Sequence, residues 1–253
     1  MTPLRKKLKA VMESAIADFR MIRPGDRIAV AVSGGPDSLA LLNLLSDGFG
    51  FVTSDYSLLA VHIDMGFAQA EPVNRDILET HFRSMRVEYR IEKTDIADEL
   101  FSGRLKKNPC FVCSMLRRKR LYETADREGC NKIATGHHRD DIIDTLLLNV
   151  LYGRKIGTLY PVQPLFRNRL TLIRPFVYIE EARIKRFAGE CGLPALRRLC
   201  PLDGSSRRAA VKGLIRRLQK TEKHADLRNN IFKSLYHVEL KSFQALVEGQ
   251  DFT

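Results

Sequence analysis

Ile28-Ala-Val-Ala-Val-Ser33-Gly34-Gly35-Pro36-Asp37-Ser38 runs from an apolar, β-branched segment through a glycine turn straight into the start of an apolar helix. A strand that ends in this way carries an anion site at its tip. The backbone N–H groups of Gly34 and Gly35 can approach a phosphate with no Cβ in the way. Ser33 and Ser38 add hydroxyl donors, and the helix N-terminus supplies roughly half a positive charge. Asp37 cannot bind phosphate directly, so a bridging magnesium ion is its natural partner. The tripeptide Ser33-Gly34-Gly35 alone is equally well served by an Asp/Ser helix cap after a tight turn. The phosphate reading rests on the whole strand-turn-helix string. That string matches neither GxxxxGKS/T nor GxGxxG, which sets aside the kinase and dehydrogenase classes.

Outward from this loop, short apolar segments alternate with helical patterns. Arg27 to Val32, Ser57 to Ile63, Val87 to Ile91, Asn131 to Thr135 and Leu170 to Ile173 read as strands. Ser38 to Leu45, Glu71 to Met85, Cys113 to Glu128, Asp140 to Leu151 and Ile179 to Cys191 read as helices. The alternation predicts an α/β fold, a Rossmann-like parallel sheet with helices on both faces. Thr94 to Pro109, with Gly103, Pro109 and a basic run, is expected to be largely a loop over the carboxyl ends of the strands, where such sheets bind ligands. A basic helix should reach about Lys220. These readings divide the chain into an N-terminal basic helix (1–25), a catalytic domain (26–220) and a tail without a chemical motif (221–253).

With 253 residues, 44% of them apolar, the chain can bury one large core. No stretch approaches the roughly 18 unbroken apolar residues of a membrane span, and the start MTPLRKKLKAVMESA lacks the apolar centre of a signal peptide. A cytoplasmic protein with no membrane contact is expected. The formal charge of +12 favours a polyanionic partner. It is unevenly spread: Arg104 to Arg120 holds seven basic residues and no acidic one, and Arg197 to Arg217 holds seven against the single Asp203.

Two further segments fall at strand ends. Val61-His62-Ile63-Asp64-Met65-Gly66 follows the second strand, and Asp64 there is either a ligand-side residue or a turn former. Gly136-His137-His138-Arg139-Asp140-Asp141-Ile142-Ile143-Asp144 follows the fourth. Its adjacent acids are either partners of the helix dipole or part of a site. Five cysteines in a reducing compartment argue against a disulfide framework. Cys130 and Cys191 read as small buried hydrophobes. Cys110-Phe-Val-Cys113 alone is compatible with a redox pair, half a zinc site or buried thiols. With Cys200, 87 residues later, it supplies three thiolates and no obvious fourth ligand, which suits a [4Fe-4S] cluster with one open iron better than structural zinc. Arg117, Arg118, Arg197 and Arg198 would favour the thiolates and attract RNA phosphate.

The string SGGPDS resembles the PP-loop of ATP pyrophosphatases, and Gly136 to Asp141 resembles the GHxxDD signature of that superfamily. The run Cys110 to Gly153, CFVCSMLRRKRLYETADREGCNKIATGHHRDDIIDTLLLNVLYG, looks closely like the TtcA family of tRNA 2-thiocytidine synthetases, as does Ala15 to Asp26. The likeness covers about Leu8 to about Leu218. Two positions depart from it: Pro36 stands where lysine is common, and Asp203 where a second cysteine often follows Cys200. The resemblance implies a PP-loop ATPase fold, ATP and magnesium, and an iron-sulfur site on Cys110, Cys113 and Cys200. It also implies a homodimer and thiolation of a cytidine, position 32, in tRNA, with release of AMP and pyrophosphate and sulfur from a donor such as a cysteine desulfurase. Ser33, Gly34, Gly35, Asp37, Ser38, His62, Asp64 and Gly136 become the candidate nucleotide-binding residues. Asp37, Asp141, His137 and Arg117 become the candidate catalytic ones. Alternatives that stay open are a lysidine-synthetase-like enzyme using an amine, a 2-thiouridine-forming enzyme, and a zinc-bearing RNA-binding module.

Overall fold

Residues 2–48, 55–67, 71–102, 109–194, 196, 207–222 and 224–237 are described by the computed structural model. In chain order the helices are α1 (Pro3–Asp18), α2 (Pro36–Leu45), α3 (Glu71–Ser84), α4 (Ile96–Phe101), α5 (Pro109–Arg127), α6 (Arg139–Gly153), α7 (Glu181–Glu190), α8 (Arg207–Thr221) and α9 (Leu227–Ser234). The strands are β1 (Arg27–Ala31), β2 (Ser57–Asp64), β3 (Glu88–Lys93), β4 (Lys132–Ala134), β5 (Val162–Leu165) and β6 (Leu170–Ile173). They form one sheet in the order β3-β2-β1-β4-β6-β5.

The five parallel strands are those the apolar runs predict, and Leu170–Ile173 has the predicted bounds. The central strands read as near-continuous apolar runs because both of their faces are covered. Ile28, Ala29 and Val30 of β1 and Leu59, Ala60 and Val61 of β2 are all buried. A sixth strand departs from the all-parallel expectation: β5 runs antiparallel to β6, with Pro164 opposite Thr171. Proline lacks the N–H for a second ladder, so it fits an edge strand and hides the strand pattern from sequence. On the other edge β3 alternates charged Glu88, Arg90 and Glu92 with its inward residues, which discourages further pairing.

The sheet is also covered as the pattern predicts. Leu121, Ala125 and Cys130 join Ala29, Leu59, Val61, Ile133, Leu170 and Leu172 in one core cluster beneath α5. Cys130 is buried there as a small hydrophobe, and burial pushes its thiol up, which keeps it protonated. Helix α2 is largely apolar, and Leu39, Leu41, Leu42, Leu44 and Leu45 are fully buried, as suits a helix packed between β1 and α7. Cys191 differs from its sister: it is only half-buried at the end of α7 and receives an N–H from Arg5 at 3.8 Å. The expected loop after Thr94 contains α4 instead. Ile96, Ala97 and Leu100 lie at helical spacing and are buried, and Ile96 and Leu100 pack with Val112 of α5, which drives the turn despite the breakers downstream.

By backbone contacts the chain falls into two units, 1–141 with 159–205, and 142–158 with 206–253. The second has its own small core of Ile143, Val211 and Ile215, with Leu147, Leu148, Ile231 and Phe232 against it. Helix α9 lies in the segment that sequence marked only as a tail. Asp226 caps it by accepting the Asn229 N–H at 3.1 Å.

Candidate active site

The strand order reverses direction beside β1: β2 and β3 lie to one side, and β4, β6 and β5 to the other. At such a switch point the loops leaving neighbouring strands diverge and open a crevice at the carboxyl edge. The two loops here are Ser33 to Asp37 after β1 and Thr135 to His138 after β4.

The first loop is closed by its serines. The Ser38 hydroxyl lies at 3.1 Å from the Ser33 N–H and 3.2 Å from the Ser33 hydroxyl, and donates to the Gly35 carbonyl at 2.9 Å. Gly34 has φ of +82°, in the left-handed region that favours glycine, and a Cβ there would lie 2.1 Å from Cδ1 of Leu196. The loop then enters α2 with Gly35 at the cap position and Pro36 in the first turn, where a missing N–H costs nothing. Gly136 faces this start directly. A Cβ on it would stand 2.9 Å from the Asp37 carbonyl carbon and 3.1 Å from the Ser38 nitrogen. Ser33, Gly34, Gly35, Asp37, Ser38 and Gly136, chosen from sequence, thus come together.

Asp37 is half-buried, and its Oδ1 is shielded from solvent without a hydrogen-bond partner. Burial pushes its carboxyl above the usual carboxylate range. The His138 ring opposes this, Glu181 and Asp141 reinforce it, and Lys185 opposes it. A shielded carboxylate oxygen near further carboxylates is an arrangement that a divalent cation relieves. Magnesium therefore fits the donor set of Asp37 and Asp141 by chemistry.

The two adjacent acids have different surroundings. Asp140 is buried, and its Oδ2 accepts the Glu181 N–H at 2.8 Å, so it caps α7. Asp141 accepts the His138 N–H at 3.1 Å, reaching back over the first turn of α6 as a capping-box residue does, and lies 3.4 Å from His138 Nε2. His138, 3% exposed, is the enclosed histidine of the pair. His137 is half-exposed, with Nδ1 at 2.9 Å from the Thr135 hydroxyl.

At the second strand the candidate ligands are engaged by protein groups. His62 Nδ1 lies 2.8 Å from the Val32 carbonyl, so its ring braces the approach to the serine loop. Asp64 is 2% exposed; it accepts the Gly66 N–H at 2.9 Å and pairs with Arg75 at 2.6 Å. This is the turn-forming role. Arg75→Ala would strand a buried carboxylate beside one backbone donor, and a loss of about 2 kcal/mol is expected, discounted for the partial exposure of Arg75. Urea unfolding of the variant beside Asp64→Asn, in which no charge is left to strand, measures it.

Cys110, exposed, and Cys113, half-buried, sit in the first turn of α5. Cys113 packs on the α4 cluster. The helix begins at Pro109, four residues before the predicted start, because proline suits the first helical turn. Arg117 is exposed on the same helix. Cys200, Arg197 and Arg198 lie outside the described residues. Two thiols at i,i+3 with no acidic residue in that turn suit an iron-sulfur site as a donor set.

Glu181, Lys185 and Arg174 were not singled out from sequence. The first two form an i,i+4 ion pair at 2.7 Å. Arg174, 4% exposed just past β6, donates to the Tyr160 carbonyl and to Gln163 at 3.4 Å, and burial pushes its pKa down. The Ile-Arg-Pro step at a strand end was the only available signal.

A family described as the PP-loop domain matches residues 2–194. The chain is 40% identical over 243 residues to the tRNA-cytidine(32) 2-sulfurtransferase of Syntrophotalea carbinolica, covering 93% of this chain and 90% of that one. It is 37% identical over 243 residues to the protein of the same name from Geobacter sulfurreducens, covering 92% and 90%. The chain belongs to the PP-loop family, among the tRNA-cytidine(32) 2-sulfurtransferases. Among solved structures, the PP-loop fold described above resembles the U34-tRNA thiolase NcsA from Methanococcus maripaludis, solved with its [4Fe-4S] cluster. That match has a TM-score of 0.73 at 21% identity and covers 98% of this chain and 80% of that one. The NH3-dependent NAD synthetase from Campylobacter jejuni shares the fold more distantly, with a TM-score of 0.53 at 12% identity. In this PP-loop protein the serine-glycine loop and the Gly136 segment meet at the carboxyl edge of the sheet.

Proposed function

We propose that this chain is an ATP-dependent tRNA sulfurtransferase that adenylates cytidine 32 of tRNA and replaces its oxygen with sulfur. The observation that carries the reading is the joining of the two loops at Gly136 and Asp37, in a chain whose relatives carry that activity in their names. The catalytic work is assigned to residues 26–220. The N–H groups of Gly34 and Gly35 and the hydroxyls of Ser33 and Ser38 would hold the ATP phosphates. Asp37 and Asp141 would hold magnesium, which neutralises phosphate charge and makes pyrophosphate a better leaving group. His62 and Asp64 shape the adenine side through the backbone they brace, and His137 contacts phosphate.

The target base is presented out of its stack, since an enzyme must reach its reacting atom. Its O2 attacks the α-phosphorus, the bond to pyrophosphate breaks, and an adenylated base remains. Sulfur then adds at C2 and AMP leaves with the former base oxygen. Cys110, Cys113 and Cys200 would hold the [4Fe-4S] cluster, which when bound supplies a site for the sulfur atom. Arg117 draws the RNA backbone toward the thiols. The protein's part is positioning and electrostatics. A cysteine desulfurase would furnish the sulfur, the enzyme would work as a homodimer, and its place is the cytoplasm. Among the described residues no helix is long and apolar enough to cross a membrane.

The test is anaerobic purification, metal and sulfide analysis, and a thiolation assay on tRNA. Iron and acid-labile sulfide on the order of four per chain, with ATP-dependent formation of 2-thiocytidine and AMP, is the expected result. AMP release with no thiolated base, or stable zinc in place of iron, would turn the reading to the amine-using or RNA-binding alternatives.

A further inference from the structure

The first two turns of α5 present an unusual outer face. Phe111 is 57% exposed and Met115 is 47% exposed, although both are large and apolar. At i,i+4 they are neighbours on the helix surface, with Arg118 next along the same stripe at i+7. Arg118 Nε donates to the Ser114 carbonyl at 3.0 Å, which lays the guanidinium along the helix. The inward stripe is separate: Val112 is buried and Leu116 packs with it on α4. Phe111 and Met115 are therefore not needed for the helix to dock.

Exposed apolar side chains in an otherwise charged helix mark a contact surface. The charge around them selects the partner. Seven basic and no acidic residues between Arg104 and Arg120 would set like charges against each other if two copies met on this face. They suit a polyanion that also offers flat apolar surface, which describes unpaired nucleotides: phosphates for the arginines and a base face for the aromatic ring.

We propose that Phe111, backed by Met115, is a stacking platform for an unpaired base of the RNA substrate, with Arg118 on the adjoining phosphate. Phe111 directly follows the thiol of Cys110, so a base stacked on it is held at the iron-sulfur end of the site, and the platform favours loops over duplex. This rests on the tRNA sulfurtransferase reading and names the surface by which that substrate docks.

The experiment uses the full-length, anaerobically prepared protein and two probes: an RNA hairpin with a fluorescent purine analogue in its loop, and a paired duplex of the same length. Phe111→Ala should bind the hairpin on the order of tenfold more weakly and lose the quenching of the analogue. Its duplex affinity and salt slope should not move, because no phosphate contact is lost. Phe111→Tyr should restore hairpin binding. Arg118→Ala should weaken both probes and lower the salt slope by about one.

Unchanged hairpin binding and quenching in Phe111→Ala would overturn the proposal. So would a change in sedimentation mass without a change in hairpin affinity, which would make the face a contact between copies. Thiolation of tRNA by the unaltered protein in the same buffer separates the two levels. If it occurs and Phe111→Ala behaves as the unaltered protein, only the platform fails; if it does not occur, the sulfurtransferase reading fails first.

Discussion

Asp37→Asn is expected to lower ATP-dependent pyrophosphate release by about 10²–10³-fold while the fold stays intact. The substitution keeps the shape of the side chain and removes the charge that would hold magnesium. The fall should appear in the adenylation step, read as AMP and pyrophosphate release in single turnover, rather than in tRNA affinity. A companion effect runs the other way. Burial raises the Asp37 carboxyl, so the folded state holds this proton more tightly than the unfolded chain does. That stabilising contribution is complete below the ordinary value of 3.8 and is lost as pH rises through the raised folded value. At neutral pH the ionised group therefore costs stability. In metal-free protein, Asp37→Asn should melt at a higher temperature than the unaltered chain at pH 7, with the gap closing as the solution is acidified. Near-normal pyrophosphate release would remove Asp37 from the mechanism, and an equal or lower melting temperature at pH 7 would count against the strained carboxylate.

Gly136→Ala is the second large effect. The added Cβ would stand 2.9 Å from the Asp37 carbonyl carbon and 3.1 Å from the Ser38 nitrogen, inside ordinary van der Waals contact, and backbone cannot rotate out of the way as a side-chain tip can. Either β4 or the start of α2 must move. Overpacking of this kind costs about 1–3 kcal/mol. Since the displaced start of α2 directly follows the Gly34 and Gly35 amides proposed to hold phosphate, ATP affinity should fall more than stability does, by about 10–100-fold for a shift of a few tenths of an ångström in a preorganised site. Equilibrium binding of a non-hydrolysable ATP analogue, set beside urea unfolding, separates the two effects. Gly157→Ala, which like Gly136 has no positive φ but has open space around its Cβ, is the control for the substitution itself.

The serine-glycine loop is legible in sequence because its residues are contiguous and its signal is local: an apolar strand, a glycine turn, an apolar helix. The strand bounds follow for the same reason. What sequence hides is set by distant partners. Asp140 and Asp141 are neighbours in the chain and look interchangeable; the amide of Glu181 is what engages Asp140 as a cap. His62 reads as a nucleotide neighbour; that its ring engages the Val32 carbonyl depends on a partner thirty residues away and is not visible in sequence. Strand β5 is masked by Pro164, and α4 by the glycine, proline and basic residues that follow it. The proposed joining of Cys200 to Cys110 and Cys113 would be a long-range pairing of the same kind, and it rests on the family likeness.

The position of β4 has a consequence for how the protein is made. Its register, Ile28 against Lys132, places it beside β1, although about a hundred residues separate them. A nascent chain that has left the ribosome only as far as α5 already carries the whole serine-glycine loop, yet one flank of its central strand has no neighbour. That flank is apolar and free to pair with another chain, and no nucleotide can shield it, because Gly136 has not yet arrived to complete the crevice. Synthesis halted or slowed in this window should yield aggregates that ATP does not prevent. A pulse of chain elongation past Ile173 should restore solubility and nucleotide binding together.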